Sequence, residues 1–369
     1  MTKETVTHNL YLKISELLQA AKQTVARTIN QTMVHTYFEI GRMIVEDEQQ
    51  GKERAEYGKQ ILKELSKKLA AEFGKGFSED NLERMKKFYL LYSNRISATS
   101  LRKLKNPEDP ANIISHKSSA ESQSLKIQGV STNSAILPEF VLSWSHYLKL
   151  MRISNPDERR FYEIECATNN WSLKELQRQF DSSLFERLAL SRDKEGIRQL
   201  AHQGQLIEKP SDVIKDPYIL EFLGLPEHHS YSETLLEREL FNKIEQFLLE
   251  LGKGFTFVGR QVRFTFDEKH FRVDLVFYNR LLKCFVLIDL KMGQLTHQDI
   301  GQMQMYVNYH DRFVKLPEEN KTIGIILCKD KSQTLVEITL PENNDQIFAS
   351  RYQTVLPDKQ AFIELLNLV

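Results

Sequence analysis

At 369 residues the chain is long enough for two or three domains, and 41% hydrophobic with 27% charged residues is an ordinary globular composition. Its 50 Lys+Arg balance 50 Asp+Glu, so total charge singles out no class of partner. No apolar run approaches the roughly 20 residues that cross a bilayer, which excludes an integral membrane protein of helical type.

The opening MTKETVTHNLYLK has no apolar signal core, and Cys166, Cys284 and Cys328 are scattered singly. A disulfide scaffold is therefore not expected, and a cytoplasmic location without a membrane partner is. Charge is uneven along the chain. Gly51 to Lys105 holds 14 Lys+Arg against 7 Asp+Glu, and the remainder is acidic by the same margin. A basic module tethered to an acidic body suits a polyanion partner, although a solvated Lys-rich helix surface has the same composition.

Residues 1–95 read as helices: Leu10, Ile14, Leu17, Leu18 and Ala21 recur at helical spacing, as do Ile61, Leu62, Leu65 and Leu69. Gly74-Lys75-Gly76 breaks the pattern, and Ser78 offers an N-cap to a helix over Glu79–Tyr92, with Glu79 and Asp80 suited to its first turn. That helix is expected to bury Leu82, Met85 and Leu90 and to present Arg84, Lys86 and Lys87 outward as nucleic-acid contacts. Helix, glycine turn and basic helix in this order resemble a helix-turn-helix. Residues 96–137 are rich in Ser, Asn and Lys, contain Pro107 and Pro110, and read as a flexible linker. Helical patterning resumes over 138–212, read as a continuation of the N-terminal domain, with a capping box at Ser172 and Glu175 and a polar connector up to about Ser211.

Residues 213–369 form the expected α/β domain. A helix over Glu233–Leu251 precedes strands at Phe255–Phe266, Phe271–Tyr278 and Lys283–Lys291. A helix at His297–His310, a strand at Thr322–Lys329 and a last helix after Pro357 follow, and no phosphate-binding glycine loop interrupts them.

The chemistry sits in FRVDLVFYNRLLKCFVLIDLKMG, two strands joined near Asn279–Leu282. If Tyr278 pairs with Lys283, Asp274 faces Leu287 and lies diagonal to Asp289, on one face at roughly 7–8 Å. Lys291, two residues on, shares that face, and a one-residue slip would separate the acids. Carboxylates in so apolar a hairpin need a cation or donors. Hard oxygen ligands with open positions suit Mg²⁺, which polarises a phosphodiester and acidifies bound water. Lys291 can then orient that water or stabilise developing charge. A structural Asp289–Lys291 or Asp274–Arg272 ion pair is the competing reading. Arg260 and Gln261 can reach a phosphate from a strand end, or simply form an exposed polar edge.

Asp274 followed by Asp289-Leu290-Lys291 resembles the PD-(D/E)XK nuclease signature. VGRQVRF, RVDLVFYNR, FVLIDLKMG, GQMQMYV and IGIILCKDK are similar, more closely, to the YhcG family of these nucleases. GKERAEYGKQILKELSKKL, EFGKGFSEDNLERMKKFY, LSWSHYLKLMRI and WSLKELQRQFDSSLFERLALS resemble the helical domain that precedes the nuclease there. The resemblance implies a restriction-endonuclease-like α/β domain behind an all-α one, and cleavage of DNA with Mg²⁺ or Mn²⁺ in recombination, repair or defence. It implies Asp274, Asp289 and Glu237 as metal ligands, Lys291 as the catalytic lysine, and Gln302 with Tyr306 as the QxxxY pair on one helix face. One departure stands out: Asp289 occupies a position where close relatives usually carry Glu, so its carboxylate reaches one methylene less far. Two other readings stay open, a DNA-binding protein on a relict nuclease fold and a scaffold that assembles, for instance as a homo-oligomer.

Overall fold

The first helix, α1 (Lys3–Gln50), is 48 residues long. It is followed by α2 (Arg54–Phe73), a 3-10 turn at Lys75–Phe77 and α3 (Glu79–Lys105), and after residue 139 by α4 (Trp144–Leu150). The computed structural model describes residues 3–50, 54–105, 140–190, 192, 194–225 and 232–368. Contacts divide the chain into two units at Ser154/Asn155.

In the first unit α1 and α3 meet at Gly41, where an added Cβ would run into the Met85 carbonyl; only glycine permits so close an approach. Phe38, Phe88, Tyr92, Phe140 and Tyr147 form a buried aromatic cluster, with Phe88 and Phe140 at 4.9 Å, and Trp144 packs edge-on against Phe88. Ser78 caps α3 as expected, its Oγ accepting from the Asn81 N–H at 3.3 Å. Leu82 and Met85 are buried. Leu90, expected beside them, is 53% exposed, because five residues past Met85 place it roughly 140° around the helix. Lys86 turns inward and pairs with Glu48 at 2.8 Å, leaving Arg84 and Lys87 exposed. Of the linker expected over 96–137, residues 96–105 continue α3, which runs to Lys105. The rest of that expected linker lies outside the described residues.

The second unit opens with α5 (Pro156–Asn169), α6 (Leu173–Asp181), α7 (Leu184–Ala189) and α8 (Lys194–Gln203). The Ser172–Glu175 capping box is formed, and α8, which buries Leu200 and Ala201, occupies part of the expected polar connector. There follow β1 (Tyr218–Ile219), α9 (Glu233–Asn242), α10 (Ile244–Leu251), β2 (Phe255–Phe266), β3 (Lys269–Asn279) and β4 (Cys284–Gln294). The unit continues with α11 (His297–Phe313), β5 (Ile323–Asp330), α12 (Gln333–Thr339), β6 (Ile347–Gln353) and α13 (Lys359–Leu368). By contacts α5–α8 group with the sheet, so the compact units divide earlier than the expected domain boundary at 212/213. The reason is a buried charge network. Arg187 on α7 binds Glu250 on α10 at 2.7 Å, both side chains fully buried, and Arg178 on α6 reaches Glu250 at 3.2 Å and Glu221 at 2.8 Å. Buried charges hold only as complete sets, so neither half of this network can be removed alone.

The sheet order is β1-β6-β5-β4-β3-β2. β2, β3 and β4 are antiparallel neighbours, whereas β4, β5, β6 and β1 run parallel, with α11 and α12 as crossovers. Leu236, Leu240 and Phe247 cover one face over Phe277, Val286 and Ile288; Ile300, Met303 and Val307 cover the other over Val276, Leu287 and Ile326. Burial on both faces explains the continuous apolar runs of these strands. Gly324 lets α11 sit directly on β5, since a Cβ there would lie 2.9 Å from Val307. All three cysteines are buried and unpaired. Among the described residues no helix is long and apolar enough to cross a membrane.

Candidate active site

The β3–β4 hairpin pairs Asn279 with Cys284 and Leu275 with Ile288. This register differs by two residues from the expected one, because the four-residue turn is Arg280–Lys283, one residue further along than Asn279–Leu282. The Asn279 Oδ1 accepts the Leu281 and Leu282 N–H groups, and Lys283 adopts φ 50°. An even shift preserves which residues share a face, so Asp274 comes to lie opposite Asp289 instead of diagonal to it. The ladder stops there, and the Asp274 side chain takes over: its Oδ2 accepts the Leu290 N–H at 2.9 Å. Its Oδ1 accepts from Gln261 Nε2, also at 2.9 Å. Gln261 holds φ 51° inside β2, a left-handed conformation that is strained for a residue with a Cβ.

Lys291 Nζ stands 2.9 Å from Asp289 Oδ2 and 3.9 Å from Asp299 Oδ1, at the first turn of α11. Asp289 is buried, and its Oδ2 has this ion-pair neighbour but no aligned hydrogen bond. Burial and the neighbouring Asp274 charge push the Asp289 carboxyl up to about 7, against the pull of Lys291. Asp274 is likewise raised by burial, with Glu237 adding to it and the Leu290 N–H opposing. Burial pulls the Lys291 ammonium down, but Asp289, Glu233 and Asp299 more than compensate and hold it above the usual lysine value.

The other expected residues divide. Tyr306 is buried and accepts a hydrogen bond from Gln302 across one helical turn. Burial raises its phenol, and the charges of Asp289 and Asp274 add to this, so it belongs to the site as a neutral hydroxyl. Glu237 lies near enough for its charge to act on Asp274, but Arg260 holds its Oε1 at 2.6 Å. Among the described residues no three His, Cys, Asp or Glu side chains are grouped as a ready-made metal cluster, and Glu237 is held by Arg260 while its charge still reaches Asp274. Arg260, expected to meet phosphate, is instead spent on Glu237 and on the Phe241 ring, 5.2 Å away. Gln261 serves Asp274. Two acids around Lys291, Asp299 and Glu233, are absent from the residues expected of the site. The capping-box spacing of Thr296 and Asp299 is the signal that marks the first of them.

Two opposed carboxylates, one with a buried oxygen lacking an aligned donor, fit a hard divalent cation. Mg²⁺ takes one or two carboxylates and fills its remaining positions with water and phosphate oxygens. Asp274 and Asp289 would hold it.

Comparison with known proteins places the chain in a family. Residues 211–366 match the model of the YhcG PDDEXK nuclease domain, and residues 13–187 that of the DUF1016 N-terminal domain. The chain is 39% identical over 358 residues, 96% of its length and 92% of the relative's, to the Escherichia coli (strain K12) protein named "Putative nuclease YhcG". The chain belongs to the YhcG family of PDDEXK nucleases. Two solved structures are partly similar. A repair endonuclease from Pyrococcus abyssi shares 14% identity over 35% of this chain and 50% of its own, with a TM-score of 0.24. EndoMS in a dsDNA complex shares 15% over 36% and 50%, also at 0.24. Membership of the YhcG family rests on the sequence relation, and the two-faced mixed sheet is the nuclease-type domain that the family model describes.

Proposed function

We propose that this YhcG-family chain is a divalent-metal-dependent nuclease that hydrolyses DNA phosphodiester bonds, in recombination, repair or defence against foreign DNA. The observation that carries the reading is the opposed Asp274–Asp289 pair with Lys291 at 2.9 Å. Bound there, Mg²⁺ or Mn²⁺ would polarise the phosphodiester and acidify a water. Lys291 places a positive charge beside the attacked phosphorus, and Asp299 and Asp289 hold its ammonium in place. Gln261 and the Leu290 N–H fix both oxygens of Asp274, so the carboxylate is oriented before substrate arrives. Tyr306 lies near enough for the charges of Asp289 and Asp274 to act on it, and Gln302 donates to its hydroxyl.

The test compares wild type with Asp274→Asn on supercoiled plasmid and on linear single- and double-stranded DNA, with Mg²⁺, Mn²⁺ or EDTA. Cutting by wild type alone, only with metal, is expected, with the variant down by about 10³-fold or more. Equal cutting by the variant, or cutting in EDTA, would overturn the assignment. Binding without any cutting would favour a DNA-binding protein on a relict fold.

A further inference from the structure

The β2–β3 hairpin outgrows the sheet. β3 pairs with β4 only from Leu275 onward, whereas its ladder with β2 continues to Phe266↔Lys269. Residues 262–273 therefore form a two-stranded arm rooted beside Asp274, with no further strand on either edge among the described residues.

The two faces of this arm differ in chemistry. Phe264 and Phe271 oppose each other on one face and stack at 5.6 Å. Phe264 also stacks on Tyr309 at 4.3 Å and meets Tyr306 edge-on at 5.4 Å, while Phe266 stacks on Phe271 at 4.9 Å. This aromatic column fixes the arm to α11, the helix whose first turn carries Asp299.

On the other face Arg263 stands directly opposite Arg272, and Thr265 opposite His270, all exposed. Among the described residues no carboxylate lies within ion-pair distance of Arg263 or Arg272; the nearest polar partner of Arg263 is the His270 ring, at 2.8 Å. Like charges directly opposed weaken a hairpin, so the arm's own stability does not account for this pair. Guanidinium groups are suited to phosphate, which they grip with paired N–H donors. At about 3.3 Å per residue, Arg272 lies roughly 7 Å and His270 roughly 13 Å along the strand from Asp274. That corresponds to about two to four nucleotides at ~3.4 Å each.

We propose that the arm is a backbone clamp: Arg263 and Arg272 bind phosphates of the substrate strand about two nucleotides from the bond held at Asp274 and Asp289. The inference rests on the nuclease reading above. It also moves the expected strand-end contact from Arg260 and Gln261, which the site itself uses, to the next exposed basic pair along the same hairpin.

The experiment measures binding of a fluorescein-labelled DNA duplex by the full chain in EDTA, by anisotropy, across a KCl series. Wild type is compared with Arg263→Gln/Arg272→Gln, with Arg263→Lys/Arg272→Lys, and with Lys321→Gln, an exposed cation elsewhere. The glutamine pair should weaken binding by at least about tenfold at low salt and flatten the slope of log K against log[KCl] by about 1.8, two phosphate contacts' worth. The lysine pair should keep the slope, and Lys321→Gln should change neither quantity. An unchanged slope in the glutamine pair, or an equal loss in Lys321→Gln, overturns the clamp. Wild type that binds no DNA overturns the clamp and the nuclease reading together. Wild type that binds but never cuts with metal overturns only the latter, and the slopes still decide the clamp.

Discussion

Asp274 is the residue on which the site turns, and what surrounds it is mostly invisible in sequence. Its candidacy is legible: an acid inside an apolar strand, with a second acid and a lysine on the next, points to a cation and a phosphate. Its partner Gln261 is not, because nothing in GRQVR announces that a glutamine will adopt φ 51° and aim its amide at a carboxylate 13 positions away. Arg260 is equally opaque, since its anchor Glu237 is 23 residues distant and on another element. Removing the Gln261 amide leaves Asp274 Oδ1 without its donor while touching no other part of the pair. Gln261→Ala is therefore expected to lower metal-dependent cleavage by about 10–100-fold, the usual penalty for losing a partner that orients a ligand. Circular dichroism should remain that of wild type. Activity within twofold of wild type would mean that the Leu290 N–H alone orients Asp274.

Among elements, the strands and α11 are the most legible, since period-2 alternation and a capping box announce themselves locally. The β3–β4 register differs by two residues from the expected one because the turn is closed by the Asn279 side chain, and a side chain's choice of partners does not show in hydropathy. α7 is the element that local patterning hides best. Arg187 looks like the outer face of an amphipathic helix, yet it is buried against Glu250. Burial alone would raise the Glu250 carboxyl, but Arg187, Lys215 and Arg178 overcome this and hold it at about 2. Its folded value thus lies below the unfolded one, so its stabilisation is complete above about pH 4.5 and fades as pH falls towards 2. Lys215 works at the other end: burial brings it down to about 8, so stability rises as pH climbs from there towards its unfolded value near 10.5. Arg187→Met should cost about 3–5 kcal/mol in urea unfolding by stranding the Glu250 charge, whereas Arg187→Met/Glu250→Leu should recover much of it. A double variant as unstable as the single would show that packing, not charge, governs this contact.

At the scale of the whole chain, helix content in the first part and an α/β domain in the second are both legible; the family models, over 13–187 and 211–366, leave the expected 212/213 boundary standing, and what is not legible is the division by contacts. Composition places the boundary at 212/213, where polar residues give way to strands; the contacts divide the chain at Ser154/Asn155. The difference lies in long-range pairs such as Arg187–Glu250 and Lys253–Glu165, the latter at 2.8 Å, which local patterning cannot register. A piece comprising residues 155–369 should accordingly express as a soluble, cooperatively unfolding domain, because its network is complete. A piece beginning at 213 keeps Glu250 and loses Arg187 and Arg178, and should be recovered insoluble or without a cooperative transition. A stable 213–369 fragment would return the boundary to where composition puts it.

The buried, unpaired cysteines give this question an internal clock. Burial pushes all three thiols up, so none offers a thiolate to an alkylating reagent while the chain is closed. Each can be modified only in molecules that have opened around it, so labelling rate counts openings. Cys166 lies on α5, Cys284 on β4 and Cys328 on β5. If α5–α8 and the sheet open as one body, mass spectrometry will find the three labelled in step. If Cys166 runs ahead, the helices come away first, and the chain has a seam that its fold conceals.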